Sequence, residues 1–174
     1  MTGTVIDQLV LHRSIEQFLI LEAELLDRRE FATWLSLLDD EMSYLVPVQG
    51  LSGRSGDAGT DAVHTNHYVD ETKAALARRV RRLELPTAWS EHPPSRICRF
   101  VANVRVVPGH GELFKVASSL LIYRARLPRD GQLIAAARSD HLRRAENEFG
   151  WALQRREVDL LDSVIGMHNM SVIF

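Results

Sequence analysis

Apolar residues recur at helical spacing through residues 14–35, SIEQFLILEAELLDRREFATWL. At 3.6 residues per turn Ile15, Phe18, Leu19, Leu25 and Leu26 share one face, which predicts a first helix over about residues 8–26. Glu22 lies seven residues after Ile15 and so points to the middle of that apolar face. Asp27 followed three residues later by Glu30 has the form of a capping box. It predicts a second helix with Phe31, Trp34, Leu35 and Leu38 as its stripe, ending near LDDE. MSYLVPV, residues 42–48, reads as a strand, with Pro47 marking an edge or an end. Residues 49–66 read as a flexible loop, because the stretch 49–62, QGLSGRSGDAGTDA, carries four glycines and no periodicity. A third helix is expected over about 70–84, with Leu76, Val80 and Leu83 buried. Asp70 and Glu71 would open it and Arg78, Arg79, Arg81 and Arg82 close it, the charge order that suits the helix dipole.

After the proline-rich connection ELPTAWSEHPPS the pattern changes. Residues 95–107 alternate, with Cys98, Phe100, Ala102, Val104 and Val106 in one phase. Residues 113–126, 132–144 and 151–161 are also extended in character. PGHGE, LPRDG and ENEFG between them have turn chemistry, so the four segments predict an antiparallel meander. Each is about twice the usual strand length, and a sheet of such strands must twist and curl. The amphipathic helices are its natural filling. Helices first and strands afterwards make this a single α+β domain over residues 1–174.

Composition narrows the function. The chain of 174 residues is 45% hydrophobic and 25% charged, with a formal net charge of −2, ordinary for a soluble domain and without a drive toward nucleic acid or membrane. No apolar run is long enough to span a bilayer. The start MTGTVIDQLV lacks the pattern of a secretory signal, so a cytoplasmic location is expected. Cys98 is the single cysteine, so this chain forms no internal disulfide. Nor does it supply the two cysteines of a Rieske cluster or a cysteine-based zinc site.

The candidate chemistry is sparse. Glu22 in an enclosed cavity has the position of a general base. The alternative is a buried bridge to one of the strand arginines Arg96, Arg99, Arg105, Arg124, Arg138, Arg155 or Arg156, which the cost of an unpaired buried charge favours. Tyr44 and Asp40 form an acid–phenol pair in principle, although clustered acids such as Asp39, Asp40 and Glu41 are more often simply solvated. His64 and His67, in HTNH, lack the further ligands of a metal site. RRVRR, residues 78–82, reads as a solvated helix end. The residues alone therefore leave two classes open: an interaction or scaffold protein, and a small-cavity enzyme.

Taken together, the segments resemble a known family. FLILEAELLDRREFATWLSLLDDEMSYLVPV is similar to the opening of the β (small) subunits of aromatic-ring-hydroxylating dioxygenases, through Glu22, Leu25, Asp27, Phe31, Trp34, Asp40, Tyr44 and Pro47. RRVRRLELPTAWSEHPPSRICRFVANVRV resembles the family's central signature, and YRARLPRDGQLIAAARSDHLRR and LLDSVIGMHNMSVIF also fit. Gln49 stands where the family often carries arginine, and the glycine-rich loop has no clear counterpart. The resemblance implies a cone-like fold of the nuclear transport factor 2 (NTF2)/cystatin type, a mainly antiparallel curled sheet wrapped around N-terminal helices. It implies a structural, non-catalytic β subunit with no catalytic, cofactor or metal residues of its own. The implied partner is an α subunit carrying the Rieske [2Fe-2S] cluster and the mononuclear Fe(II), in an assembly of three α and three β subunits. Electrons would come from NADH through a reductase and a ferredoxin, and dioxygen would be added to an aromatic hydrocarbon to give a cis-dihydrodiol. Trp89, Arg96, Arg143 and Phe174 are the expected subunit contacts, and Glu22 the expected half of a buried ion pair. The apolar ending MSVIF is expected to be tucked into the sheet or against a neighbour. The competing class is a free-standing dehydratase or isomerase on the same fold, using Tyr44, Asp40 or Glu22.

Overall fold

The computed structural model describes residues 4–48, 67–84, 95–108, 112–125, 130–161 and 172–174. Among them are three helices, α1 (Val5–Asp27), α2 (Phe31–Ser36) and α3 (Lys73–Glu84). The strands are β1 (Leu38–Pro47), β2 (His67–Thr72), β3 (Arg96–Pro108), β4 (Leu113–Ala125), β5 (Gln132–Arg144) and β6 (Trp151–Leu160). They form one sheet in the order β2-β1-β6-β5-β4-β3. β3 to β6 are the expected antiparallel meander, and β1 joins β6 in parallel. The glycine-rich loop and most of the proline-rich connection lie outside the described residues.

α1 starts on a capping box. The Thr4 hydroxyl accepts from the Asp7 N–H, and the Asp7 carboxylate accepts from the Thr4 N–H. Its other end corrects one expectation. Asp27 does not cap α2; it is the last residue of α1, and its carboxylate accepts from the Arg99 backbone N–H and pairs with the Arg99 guanidinium. The chain leaves α1 through Arg29 at φ 59°. The Glu30 N–H donates to the Leu25 carbonyl and the Arg29 N–H to that of Leu26, the paired bonds of a Schellman ending. Arginine holds a position that usually favours glycine, anchored by an N–H donated to the Leu83 carbonyl and by stacking over the Phe31 ring.

Three further boundaries differ from the sequence reading. α2 stops at Ser36, and the residues expected to end it begin β1. Asp70 and Glu71 belong to β2 rather than to α3. The single phase expected in β3 is broken by a bulge between Ala102 and Arg105, where Asn103 takes φ 53°. Cys98, Phe100 and Ala102 therefore face outward, while Val104 and Val106, beyond the bulge, pack against the core. In the turn before β6, Gly150 at φ 72° supplies the left-handed residue, and Asn147 braces the turn through the Phe149 N–H and the Trp151 carbonyl.

The core lies between the inner face of the sheet and the helices. α1 packs on β3, and α3 packs on β1 and β2. Phe18, Leu19, Trp34, Tyr44, Ile122, Leu142 and Val158 are buried there. Val172, Ile173 and Phe174 join them, so the end of the sequence is packed inside its own chain.

Candidate functional site

One register row crosses the inner face of the sheet: Glu71, Tyr44, Arg156, Asp140 and Val116 stand opposite one another on five successive strands. α1 lowers Glu22 onto the middle of this row. Glu22 is 1% exposed, and Arg156 and Asp140 are wholly buried. Arg156 donates to Glu22 through Nη1 at 2.6 Å and Nη2 at 2.7 Å, and to Asp140 through Nε at 2.8 Å and Nη2 at 3.0 Å. The Trp34 indole N–H donates to Glu22 at 3.2 Å. Arg138 stands beside them, its Nη1 3.7 Å from Glu22 and its Nε donating to the Ser118 hydroxyl. Two carboxylates and two guanidinium groups thus balance in charge, which makes their burial tolerable.

The end of the sequence is fastened to the same network. The Phe174 N–H donates to the Tyr44 hydroxyl at 2.8 Å, and that hydroxyl donates back to the Phe174 main-chain oxygen at 3.4 Å. Arg156 Nη1 donates to the same oxygen at 3.0 Å. Arg99, itself held by Asp27, donates to the Ile173 carbonyl through Nε and Nη2. Two buried arginines therefore pin two consecutive carbonyls.

The electrostatics follow from this packing. Burial alone pushes the Glu22 carboxyl up; the charge and hydrogen bonds of Arg156, with Arg138 and Trp34 adding to them, outweigh it and hold the carboxyl below its ordinary range. Burial likewise opposes the charge on Arg156, but Asp140 and Glu22 raise its pKa well above the usual arginine value. Burial, reinforced by the neighbouring charge of Arg156, lowers that of Arg138. Burial raises the Tyr44 phenol. Glu22 is thus an ionised, fully engaged anion, and Tyr44 a neutral hydroxyl engaged on both sides.

The structure does not bring Tyr44, Asp40 and Glu22 together as an acid–base set. Tyr44 faces inward, whereas the Asp40 side chain is 96% exposed and pairs with Lys73. Asp39, expected to be solvated, is buried and accepts from Arg143, which ties β1 to β5. Among the expected contact residues, Arg96 is exposed, Arg143 is half exposed while bound to Asp39, and Trp89 lies outside the described residues. Phe174 is not at the surface: it is 1% exposed, inside its own chain. His64 lies outside the described residues, and His67 is exposed on β2. Among the described residues no group of three or more His, Cys, Asp or Glu side chains is placed to hold a metal ion. With one cysteine in the chain, the residues present do not fit a Rieske cluster.

Sequence reasoning missed Asp140 as a network member. It also missed an apolar outer patch, where Tyr123 stands beside Cys98 and Leu133, and Leu121 beside Phe100. A small crevice lined by Asp27, Arg29, Phe31, Ser95, Arg99 and Ile173 opens where α1 meets β3.

Comparison with known proteins agrees with this architecture. A family model described as ring hydroxylating beta subunit matches residues 21–167. The chain is similar to a chain of naphthalene 1,2-dioxygenase, solved with indole bound in the active site. The TM-score is 0.82 at 27% identity, over 95% of this chain and 86% of that one. The β subunit of benzoate 1,2-dioxygenase from Burkholderia mallei shares the fold, with a TM-score of 0.66 at 17% identity, over 84% of this chain and 87% of that one. An NTF2-like protein with a cystatin-like fold from Novosphingobium aromaticivorans also shares it, with a TM-score of 0.58 at 18% identity, over 93% and 92%.

Proposed function

The chain belongs to the ring hydroxylating beta subunit family, and from that premise we propose that it is the structural, non-catalytic β subunit of an aromatic-ring dioxygenase. The iron centres reside on an α subunit, and three copies of each chain form the working assembly in the cytoplasm. The reaction of the complex adds both atoms of dioxygen across an aromatic hydrocarbon. It uses two electrons from NADH, relayed by a reductase and a ferredoxin, and two protons, and yields a cis-dihydrodiol.

The observation that carries this reading is what fills the space between the sheet and the helices. Of the groups a free-standing enzyme would use, Glu22 and Tyr44 are buried and bound to Arg156, Trp34 and Phe174, while Asp40 stands apart from them at the surface, paired with Lys73. A general acid or base must come within hydrogen-bond reach of its substrate. Here that reach is already taken by the chain's own arginine, indole and final residues. The interior is built as a rigid, charge-balanced strut, and a rigid body loses little entropy on association.

Co-expression with a Rieske-type α subunit tests the proposal. A stable hetero-oligomer with arene-dihydroxylating activity is expected, and no turnover from this chain alone. Recovery of this chain without the α subunit, under conditions where the α subunit folds, would overturn it.

A further inference from the structure

The start of α1 carries an apolar face that its own fold does not use. Val5, Ile6, Leu9 and Val10 are 64–72% exposed. The core-facing stripe of the same helix is Ile15, Phe18, Leu19, Glu22, Leu25 and Leu26. At about 100° per residue the two sets lie on nearly opposite sides of the helix. The exposed stripe is therefore no continuation of the core stripe; it points away from the sheet.

The tip that bears it is well formed. The Thr4–Asp7 capping box closes its first turn. His12 Nε2, 2.8 Å from the Val104 carbonyl, tethers the helix to β3 just beyond the apolar turns. The charged side chains flanking the stripe are already engaged, Asp7 by Thr4 and Arg13 by Glu16. Both sets of contacts lie within the helix and its cap, so covering the tip need not break them.

We infer that residues 5–10 of α1 are an anchor that inserts into an apolar groove of the α subunit. The inference rests on the function proposed above. Size selects the occupant. Four aliphatic side chains offer on the order of 400 Å², as large as the main apolar patch of an ordinary soluble monomer but well below the roughly 800 Å² per partner of a stable interface. Two such convex tips pressed together would bury only part of that area. A concave groove wraps a helix on three sides, the geometry in which amphipathic helices find their partners. The tip adds to a larger contact made by the body of the chain and supplies its aliphatic anchors.

The test uses the full chain co-expressed with the α subunit, compared with the double variant Ile6→Glu/Leu9→Glu and the conservative variant Ile6→Leu/Leu9→Ile. Both sites are exposed, so the melting temperature of the isolated chain should not move in either variant. The acidic variant is expected to retain less than a tenth of the wild-type α subunit on affinity purification, and the conservative variant all of it. Full retention by the acidic variant would overturn the inference while leaving the functional reading intact. So would a loss confined to self-association of this chain, which would make a second copy the occupant. If the wild-type chain retains no α subunit, the functional reading itself fails, and the inference with it.

Discussion

Replacing Glu22 by glutamine keeps the shape of the side chain and removes its charge. In the wild-type chain the carboxylate accepts from Arg156 at 2.6 and 2.7 Å and from Trp34 at 3.2 Å, and faces Arg138 at 3.7 Å. The substitution leaves Asp140 alone to balance two buried guanidinium groups, and turns an amide N–H₂ or a single oxygen toward a fork that needs two acceptors. Removing one partner of a buried pair costs about 3–5 kcal/mol. Against a typical domain stability of about 5–15 kcal/mol that is a large fraction. In a chain of this length it corresponds to a fall of roughly 6–20 °C in melting temperature. Urea unfolding followed by tryptophan fluorescence reads it directly, since Trp34 bonds to the altered group. The pH dependence supplies an independent sign. Because the folded-state pKa of Glu22 is lowered, its contribution is full above the unfolded value, about 4.3, and disappears as pH falls through the folded value. The variant should therefore lose stability near neutrality and converge on the wild type at low pH. A loss below about 1 kcal/mol at pH 7, or one that does not shrink in acid, would refute the ion-pair reasoning, since an exposed pair contributes no more than that.

Tyr44→Phe removes the hydroxyl between the Phe174 N–H and main-chain oxygen; a loss of about 1–3 kcal/mol in urea unfolding is expected from the stranded buried N–H, with faster hydrogen exchange at Phe174. At Arg29, glycine should be the better tolerated substitution: Arg29→Ala and Arg29→Gly both lose the contacts to Leu83 and Phe31, but only alanine carries the left-handed penalty. Their melting curves should differ by about 1–2 kcal/mol in favour of glycine. His141 stands on the outer face between Lys115 and Arg155, and burial together with those two charges lowers its pKa. Its NMR titration should have a midpoint below about 6.5, and Arg155→Ala should move it upward. Because the folded chain binds this proton less readily than the unfolded one, the group costs stability as pH falls below about 6.5, and His141→Gln should reduce that loss.

Much of the fold was legible in the sequence because periodicity records burial. Ile15, Phe18 and Leu19 marked the inner face of α1, and a carboxylate at Glu22 on that face announced a buried partner. Which arginine answers it was not legible. Arg155 and Arg156 are adjacent, and only the register of β6 against β1 and β5 decides that Arg156 turns inward and Arg155 outward. The same holds for Asp140, which looks like any polar strand residue until Arg156 is placed opposite it. β2 was missed because HYVDET carries little apolar alternation and runs directly into α3, so its acids read as a helix start. The bulge at Asn103 was hidden because the residues after it continue the apolar alternation of those before it, although the chain has turned over between them. The capping box expected at Asp27 failed for a tertiary reason: Arg99, seventy-two positions later, claims that carboxylate. The unpartnered stripe of Val5, Ile6, Leu9 and Val10 was written in the sequence as well, but only the direction of the core shows that it faces away from it.

The most direct measurement is subunit-resolved mass spectrometry and metal analysis of this chain co-expressed with a Rieske-type α subunit. The expected result is a complex holding both chains in equal number, with all its iron on the larger one, and a smaller chain that carries none and oxidises nothing once separated. Iron held by the separated smaller chain, or ring oxidation catalysed by it alone, would contradict the claim that this protein serves as architecture for another's chemistry.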